Sequence, residues 1–324
     1  LRGRGRECAE LLVLPLYSAL PGEQQARVFE VTPRGSRKCV FATNVAETSL
    51  TLEGVVYVID SGFAKENQFS PKTGLESLVT VPCSKASANQ RAGRAGRVRA
   101  GHCFRLYTRN SFEQEMPGVQ TPEVLRCSLA AAVLFLKTLG VDDVLNFDFM
   151  DPPAPQTLVA ALELLYALAA LNERGELTKL GRRMAELPLD PMASRFVVGA
   201  EGRCVAEALT VTAMLGVVGL LFFRPKEKAL HADNARRLFC RPGGDPSTLL
   251  NVYQQWEQTG YSVAWCYENF LQHRALQRAR DVREQLQGLL ERVELEETAS
   301  QASDETLRKA LTAGYFTQAS QLAS

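Results

Sequence analysis

Residues 90–97 read QRAGRAGR, and this short stretch decides how the rest of the chain is interpreted. Arg91, Arg94 and Arg97 recur at a spacing of three, with a glycine two residues after Arg91 and Arg94. Residues three apart lie near one another on a helix surface, and a glycine inside a helix costs about 1 kcal/mol relative to alanine. Because arginine binds phosphate with a planar charged fork, the pattern predicts a helix that presents guanidinium groups to phosphate. Two glycines in it indicate that another backbone or a ligand comes close.

The residues around this stretch support the same interpretation. Ser87 stands three residues before Gln90, which is the spacing of a capping box at a helix start. Residues 85–109 contain seven Lys or Arg and no Asp or Glu. A basic helix that faces only solvent is the alternative, and the paired glycines and the leading glutamine argue against it.

Further stretches match one family in the same order along the chain. They are ATNVAETSLTL (42–52), SGFAKENQFSPKTGLESL (61–78), SKASANQRAGRAGR (84–97), CFRLYT (103–108), FDFMDPPAP (147–155) and GELTKLGRRMAELPLDPM (175–192). On these residues the chain resembles the DEAH-box RNA helicases of superfamily two, with QRAGRAGR as motif VI and ATNVAETSLTL as motif V. HADNAR (231–236) and NVYQQW (251–256) are most similar to the spliceosomal branch, within it to the helicases that act before the first step of splicing.

Length and composition limit the class of protein. A chain of 324 residues with 46% hydrophobic content can bury cores in two or three domains. The net charge is only +1, so a nucleic-acid surface must be local. The eight cysteines form no Cys-x-x-Cys pair and the three histidines are far apart, which predicts reduced thiols and no metal site. The most apolar stretch, residues 209–223, is too short to span a bilayer and predicts a buried helix.

The first third of the chain alternates strands with helices. Residues 38–43, 55–60 and 102–107 are apolar, β-branched or aromatic runs of strand length, and 76–82 is one arm of a hairpin. Continuous apolarity predicts strands covered on both faces of a parallel sheet. Ligands of such sheets bind beyond the carboxyl ends of the strands, which is where the loop 43–51 lies.

The remainder is predicted to be helical. A helix is expected from Thr121, its cap, to residue 139, a second over 156–171, a wing or tight turn over 172–177, and a third helix capped by Thr178. By themselves these residues indicate a small helical domain. The resemblance implies a winged-helix domain.

Further helices are expected beyond Pro188. Asp190 and Asp245, each followed by proline, are predicted helix caps. Residues 265–293 are expected to form one long helix, or two joined at Gly288, and residues 304–319 a last helix. An ordinary amphipathic bundle is one interpretation. The resemblance implies a ratchet domain whose long helix lines an RNA tunnel.

The expected fold class is therefore α/β followed by all-α. The domains are placed at 1–116 (a second RecA-like domain, incomplete at its N-terminus), 117–187 (winged helix), 188–319 (helical ratchet) and 320–324 (a stub before an OB-fold).

The resemblance implies three catalytic residues. Gln90 would position the attacking water, and Arg94 and Arg97 would reach the γ-phosphate of ATP. Arg91 is left out of this set, because Glu47 or a carbonyl at the sheet edge could hold it.

The resemblance also implies nucleotide-binding and RNA-binding residues. Phe29 would stack on adenine, unless it is a core phenylalanine, and Glu53 takes the place of the family's ribose-binding aspartate, with Thr51 nearby. Thr43, Asn44 and Thr48 would contact the RNA backbone, unless they only cap their own loop.

ATP with Mg²⁺ is the expected cofactor. The sequence contains no Gly-Lys-Ser/Thr and no Asp-Glu-x-His, so the magnesium ligands are expected in a first RecA-like domain and the chain alone should not hydrolyse ATP. The resemblance implies single-stranded RNA, specifically pre-mRNA, as substrate, spliceosomal proteins and a glycine-patch activator as partners, no membrane, and a nuclear location. The alternative is a non-catalytic RNA- or protein-binding scaffold derived from a helicase.

Overall fold

The computed structural model describes residues 9–18, 20, 22–48, 52–297 and 303–320. The chain divides into a first unit, Leu1–Cys127, and a second unit, Ser128–Ser324, and each is described by itself. Residues 117–127 belong to the first unit.

The first unit has the elements of a small α/β domain. In chain order they are β1 (Glu10–Leu16), α1 (Gly22–Phe29), β2 (Ser36–Ala42), α2 (Val45–Thr48), β3 (Tyr57–Asp60), β4 (Phe63–Ser70), β5 (Leu75–Pro82), α3 (Lys85–Gly93), a 3-10 turn (Arg94–Gly96), β6 (His102–Arg105), a π turn (Ser111–Glu115) and α4 (Glu123–Arg126). The four strands predicted from the sequence are confirmed, with bounds that differ by up to two residues at either end.

Parallel pairing organises these strands. β1 pairs with β2 in parallel, from Glu10 opposite Ser36 to Leu16 opposite Ala42, and β3 pairs with β6 in parallel. Leu14, Leu16 and Val28 form a small buried core where α1 packs on β1. The carboxyl end of β2 leads directly into α2, so the loop predicted to carry ligand contacts starts at the expected edge.

One prediction about the sheet is wrong for the described residues. Ile59 is 70% exposed and Phe104 is 55% exposed, and they share a face of the β3–β6 pair with Tyr57 and His102. The described residues therefore cover only one face of this pair, although its apolar composition predicted cover on both.

Helix α3 begins earlier than the sequence suggested. Ser84, not Ser87, caps it, because the Ser84 hydroxyl accepts a hydrogen bond from the Ser87 backbone N–H at 3.1 Å. The helix ends at Gly93 and the chain continues as the 3-10 turn. Arg91 therefore lies on α3, Arg94 on the 3-10 turn and Arg97 directly after that turn, and the three arginines do not share one continuous α-helix.

The second unit is helical. Its helices are α5 (Ala130–Thr138), α6 (Pro155–Ala167), α7 (Lys179–Ala185), α8 (Pro191–Gly199), α9 (Val205–Leu215), α10 (Val218–Leu221), a 3-10 turn (Lys226–Lys228), α11 (Ala229–Phe239), α12 (Asp245–Gln258), α13 (Val263–Glu268), α14 (His273–Gln287), α15 (Asp304–Tyr315) and a 3-10 turn (Phe316–Gln318). The fold class is therefore α/β followed by winged-helix and helical parts, as predicted.

The winged-helix part begins differently from the prediction. Residues 121–139 form two helices, α4 and α5, which are separated at Cys127–Leu129, and Thr121 is not a cap. The wing is confirmed as a bridge between Leu171 and Leu177. Thr178 caps α7 by accepting a hydrogen bond from the Gly181 N–H at 2.9 Å.

The later helices confirm some of the predicted ends and contradict others. The Asp190 carboxylate caps α8 at 3.0 Å from the Met192 N–H. Asp245 is the first helical residue of α12 and not its cap, because Gly244, at φ 94°, precedes it. Residues 265–293 break over 269–272 and not at Gly288, which terminates α14.

Helix α9 confirms the first part of the buried helix predicted over residues 209–223, but it ends at Leu215, and Val218–Leu221 forms the separate helix α10. Leu209, Val211 and Met214 are fully buried, and Met214 packs in a core with Trp256 and Leu276. In the described parts of the chain, every helix is too short or too polar to cross a bilayer.

Candidate nucleotide and nucleic-acid site

Of the predicted catalytic residues, Gln90 lies on α3, Arg94 on the 3-10 turn that follows it, and Arg97 directly after that turn. Gln90 and Arg97 are exposed, and Arg94 is half-buried. Their assignment to the chemistry of ATP hydrolysis stays a prediction.

The two glycines of QRAGRAGR border open space. A Cβ atom built on Gly93 or Gly96 meets no described atom within 4 Å. No other backbone of the described chain approaches them, so that explanation of the glycines is wrong here. The other explanation, a ligand that comes close to the glycines, stays a prediction.

Arg91 is held by the protein itself. Its Nε donates to Glu47 Oε2 at 3.0 Å, and its Nη1 donates to Asp60 Oδ1 at 2.8 Å and to the Phe63 carbonyl at 3.1 Å. The side chain is only 16% exposed. The prediction that Glu47 or a strand carbonyl holds Arg91 is confirmed in both parts, and Arg91 is a structural member of the motif.

Asp60 completes this cluster and was missed by the sequence argument. It lies at the end of β3, is 2% exposed, and also accepts hydrogen bonds from the Gly62 N–H at 3.0 Å and the Tyr107 hydroxyl at 2.8 Å. Burial alone would raise the pKa of Asp60, but the donors Gly62, Arg91 and Tyr107 outweigh it and hold the pKa below its ordinary value. The only sequence signal was an aspartate at the end of an apolar strand.

The pKa of Tyr107 is also shifted by its contact with Asp60. Burial and the hydrogen bond to the ionised Asp60 raise the pKa of the Tyr107 hydroxyl, so it stays a donor. Glu47, Arg91, Asp60 and Tyr107 are called the Arg91 cluster below.

Arg94 contacts the backbone of α2. Its Nε donates to the Glu47 carbonyl at 2.9 Å, and its Nη2 donates to the same oxygen. Burial and the nearby charge of Arg97 lower the pKa of Arg94. Arginine stays charged in proteins, so Arg94 and Arg97, which are three residues apart in the chain, are both cationic, and two such charges suit a multiply charged anion.

The predicted RNA-binding residues stand where β2 passes into α2. Thr43 and Asn44 are exposed, and their carbonyls accept the Ala46 and Glu47 N–H groups at 3.2 and 2.9 Å. Within the described ranges, neither side chain makes a hydrogen bond, so the alternative of side-chain capping is not observed there. Thr48 ends α2 and only its backbone is described.

The predicted nucleotide-binding residues lie on other elements than the arginines. Phe29 ends α1 and is 50% exposed, which rules out the alternative of a core phenylalanine. Glu53 is exposed in the turn before β3. Thr51 lies outside the described residues.

Metal ligands are not grouped in the described part of the chain. No set of three or more His, Cys, Asp or Glu side chains there could hold a metal ion. The two arginines and the open space at the glycines suit the phosphates of a nucleotide.

Two domain families match the sequence. The helicase conserved C-terminal domain matches residues 4–99, and the winged-helix form of the helicase associated domain (HA2) matches residues 161–189. The first match ends just after the arginine segment and the second covers part of α6, the wing and α7. These two stretches are therefore similar to domains found in the C-terminal region of DEAH/RHA-type superfamily-two helicases.

Proposed function

We propose that the chain supplies one wall of the ATP site in a DEAH-box RNA helicase, with Gln90, Arg94 and Arg97 facing the γ-phosphate. The observation that carries this proposal is the position of Arg94 and Arg97, at the two ends of the 3-10 turn, beside two glycines that border open space. The match to the helicase conserved C-terminal domain supports it.

The chemistry of phosphoryl transfer explains why these residue types are needed. Negative charge spreads over the equatorial oxygens of the transferred group, and an arginine directed at them can accelerate the reaction about 10³–10⁵-fold. Gln90 holds a hydrogen-bonding amide one turn before Arg94, where it can orient a water molecule. Magnesium would neutralise part of the phosphate charge, and its ligands would come from a first RecA-like domain.

The RNA side of the proposal rests on Thr43, Asn44 and Thr48. Hydroxyl and amide side chains contact phosphate and ribose oxygens without reading base sequence. This suits a translocase that moves along single-stranded RNA and remodels RNA–protein complexes. The exposure of Thr43 and Asn44 supports the assignment.

The cellular role is a finer proposal. The similarity of HADNAR and NVYQQW to the spliceosomal branch favours pre-mRNA as substrate, spliceosomal proteins and a glycine-patch activator as partners, and the nucleus as location. A cross-linking experiment that recovers ribosomal RNA and no pre-mRNA would contradict this role without touching the helicase assignment.

One observation favours a second function. The sequence has no Gly-Lys-Ser/Thr loop and no Asp-Glu-x-His, so on its own it would act as an RNA- or protein-binding scaffold. The helicase function requires upstream coding sequence that supplies the phosphate-binding half, whereas the scaffold function does not.

The test compares the 324-residue chain with the full-length product of its transcript. We expect the longer protein to hydrolyse ATP in an RNA-stimulated manner and the shorter chain to show no turnover. Turnover by the shorter chain would contradict the assignment of a missing phosphate-binding half. A full-length product that binds RNA but never hydrolyses ATP would favour the scaffold.

A further inference from the structure

A small cavity lies where the β4–β5 hairpin meets the segment that follows the π turn. It has a volume of about 160 Å³ and belongs entirely to the first unit. The first two N–H groups of α3 hold the segment in place by donating to the carbonyls of Pro117 and Gly118, at 2.8 and 3.1 Å. The lining residues come from the hairpin, the cap of α3 and this segment: Glu66, Gln68, Val81, Pro82, Ser84, Pro117, Gln120 and Thr121.

The size of the cavity limits what can enter it. Pockets for drug-sized ligands usually have a volume of about 300–1,000 Å³, so this cavity is too small for a nucleotide and fits a single amino-acid side chain. Gln68, Gln120 and Thr121 on its walls are exposed. A side chain of another polypeptide can therefore enter from solvent.

Glu66 determines the charge of the cavity. Among the eight lining residues, all of them in the described part of the chain, Glu66 alone is charged. It is half-buried on β4, and its carboxylate makes no hydrogen bond or ion pair with any other described residue. Lys65, its neighbour, lies on the opposite face of the strand. A carboxylate that is partly removed from water without a partner favours a cationic ligand.

Two basic side chains that are close to the walls of the cavity in the sequence have partners of their own. The Lys85 Nζ donates to the Glu113 carbonyl at 2.8 Å. The Arg126 guanidinium donates to the carbonyls of Thr121 and Asn67 at 3.2 and 3.3 Å. Both cations therefore bind backbone carbonyls, and neither neutralises the carboxylate in the cavity.

The start of α3 does not make the cavity a site for anions. A helix N-terminus attracts anions through its free N–H groups, but the first four N–H groups of α3 are taken by the carbonyls of Pro117 and Gly118 and by the hydroxyl and carbonyl oxygens of Ser84. A metal ion is disfavoured as well, because no three His, Cys, Asp or Glu side chains of the described ranges are grouped so as to hold one.

We propose that this cavity binds a lysine or arginine side chain of a partner polypeptide, with Glu66 as the carboxylate that pairs with its charge. Val81 and Pro117 supply apolar walls, which suit the methylene stem of such a side chain while its charged end reaches the carboxylate. The amide oxygens of Gln68 and Gln120 are further acceptors for its N–H groups. This binding site goes beyond the proposed function and does not rest on it.

The test uses the 324-residue chain with isotope-labelled valine methyl groups, so that the Val81 resonance reports on the cavity. The probes are capped pentapeptides of glycine whose central residue is arginine, lysine, citrulline or glutamate. Citrulline has the shape of arginine without its charge. The arginine and lysine peptides should shift the Val81 resonance in a saturable way, with an affinity that falls as salt concentration rises, and the citrulline and glutamate peptides should leave it unchanged.

Glu66→Gln is the matched variant, since it removes the charge and keeps the shape of the side chain. It should weaken binding of the arginine peptide by about tenfold or more, because the ionised acceptor is gone. Glu76→Gln, on the opposite face of the same hairpin, is the control and should bind the peptide as the wild type does. Unchanged valine resonances outside the hairpin verify that both variants are folded.

Three results would overturn the proposal. The first is equal binding of the arginine and citrulline peptides, or of the arginine peptide to wild type and Glu66→Gln. The second is a Val81 resonance that none of the peptides shifts up to its solubility limit. The third is a shift by single-stranded oligouridylate in place of the peptides, which would assign the cavity to RNA. The proposed function fails separately, through absent ATP turnover in the full-length protein.

Discussion

Asp60 illustrates, at the scale of single residues, how a buried charge is stabilised by its neighbours. Three donors, Gly62, Arg91 and Tyr107, surround a carboxylate that is almost fully removed from water. Removing one partner of a buried ion pair typically costs about 3–5 kcal/mol, because the remaining charge stays uncompensated. The first unit therefore depends on this cluster for stability as well as for geometry.

The pH dependence of stability tests the ionised state of Asp60. Its pKa is lowered in the folded chain, so its stabilisation is complete above the unfolded-state pKa of about 3.9 and is lost as the pH falls through the lower folded-state pKa. Asp60→Asn should be less stable than wild type at pH 7, and the difference should shrink at acid pH. Urea unfolding between pH 7 and pH 3 measures it. A difference that stays constant would contradict an ionised Asp60.

Tyr107→Phe isolates one donor to Asp60. A hydrogen bond to a charged group contributes about 1.5–3 kcal/mol, so the free energy of unfolding should fall by about that amount. Tyr57→Phe is the matched control, since Tyr57 is exposed on β3 and its ring only stacks on His102 and Phe104. Equal effects of the two substitutions would contradict the role given to the Tyr107 hydroxyl.

At the scale of secondary structure elements, close approach of two backbones determines where glycine is required. Gly314 of α15 lies against α8, and a Cβ atom there would come within 2.3 Å of the Met192 carbonyl and 2.9 Å of the Phe196 nitrogen. Gly288, which ends α14, would meet nothing closer than 3.5 Å. Both residues are glycines, but only the first is needed for packing.

Gly314→Ala should therefore destabilise the second unit by about 1–3 kcal/mol, as overpacking of a core usually does. Gly288→Ala should be neutral within about 0.5 kcal/mol. Denaturant unfolding followed by tryptophan fluorescence suits this comparison, because Trp256 and Trp265 both lie in the second unit. A Gly314→Ala variant as stable as wild type would show that α8 and α15 can separate freely.

Gly93→Ala separates stability from function within α3. The substitution fits the open space, and alanine is favoured over glycine inside a helix, so stability should be unchanged or rise by up to about 1 kcal/mol. In the full-length protein, turnover should nevertheless fall, because the methyl group would intrude on the phosphate. Unchanged turnover would mean that the glycine does not face the ligand.

Structural features that depend on residues close together in the sequence were predicted correctly. Thr178 and Asp190 cap their helices as predicted, since a cap depends on residues two or three positions away. The break at residues 269–272 was not predictable in this way, because Leu271 pairs with Phe222, which is distant in sequence. The contact of Asp60 with Tyr107 spans 47 positions, and no local pattern predicts it.

The features of the site that belong to a sequence motif were predicted, and the feature that depends on a backbone contact was not. The arginine spacing and the separate role of Arg91 followed from the residues and the resemblance. The Arg94 contact with the Glu47 carbonyl did not, because a backbone acceptor leaves no trace in the side-chain sequence.

At the scale of the whole molecule, the net charge is close to zero. A net charge of +1 gives no general attraction to RNA, so the proposed RNA binding would have to come from a local surface. The two units are built differently, a parallel α/β unit that holds the arginines and a helical unit that contains the winged helix. This difference in structure is consistent with the proposed motor domain followed by domains that guide the nucleic acid.

Whether the Arg94 guanidinium serves the γ-phosphate is measured by the ATP turnover of full-length Arg94→Ala at saturating RNA, with Arg109→Ala as an exposed-arginine control. We expect a loss of about 10³-fold or more for Arg94→Ala, in the range of an arginine finger, with RNA affinity largely kept and the control close to wild type. Turnover of Arg94→Ala within about fivefold of wild type, far short of that range, would contradict the claim that this guanidinium serves the γ-phosphate.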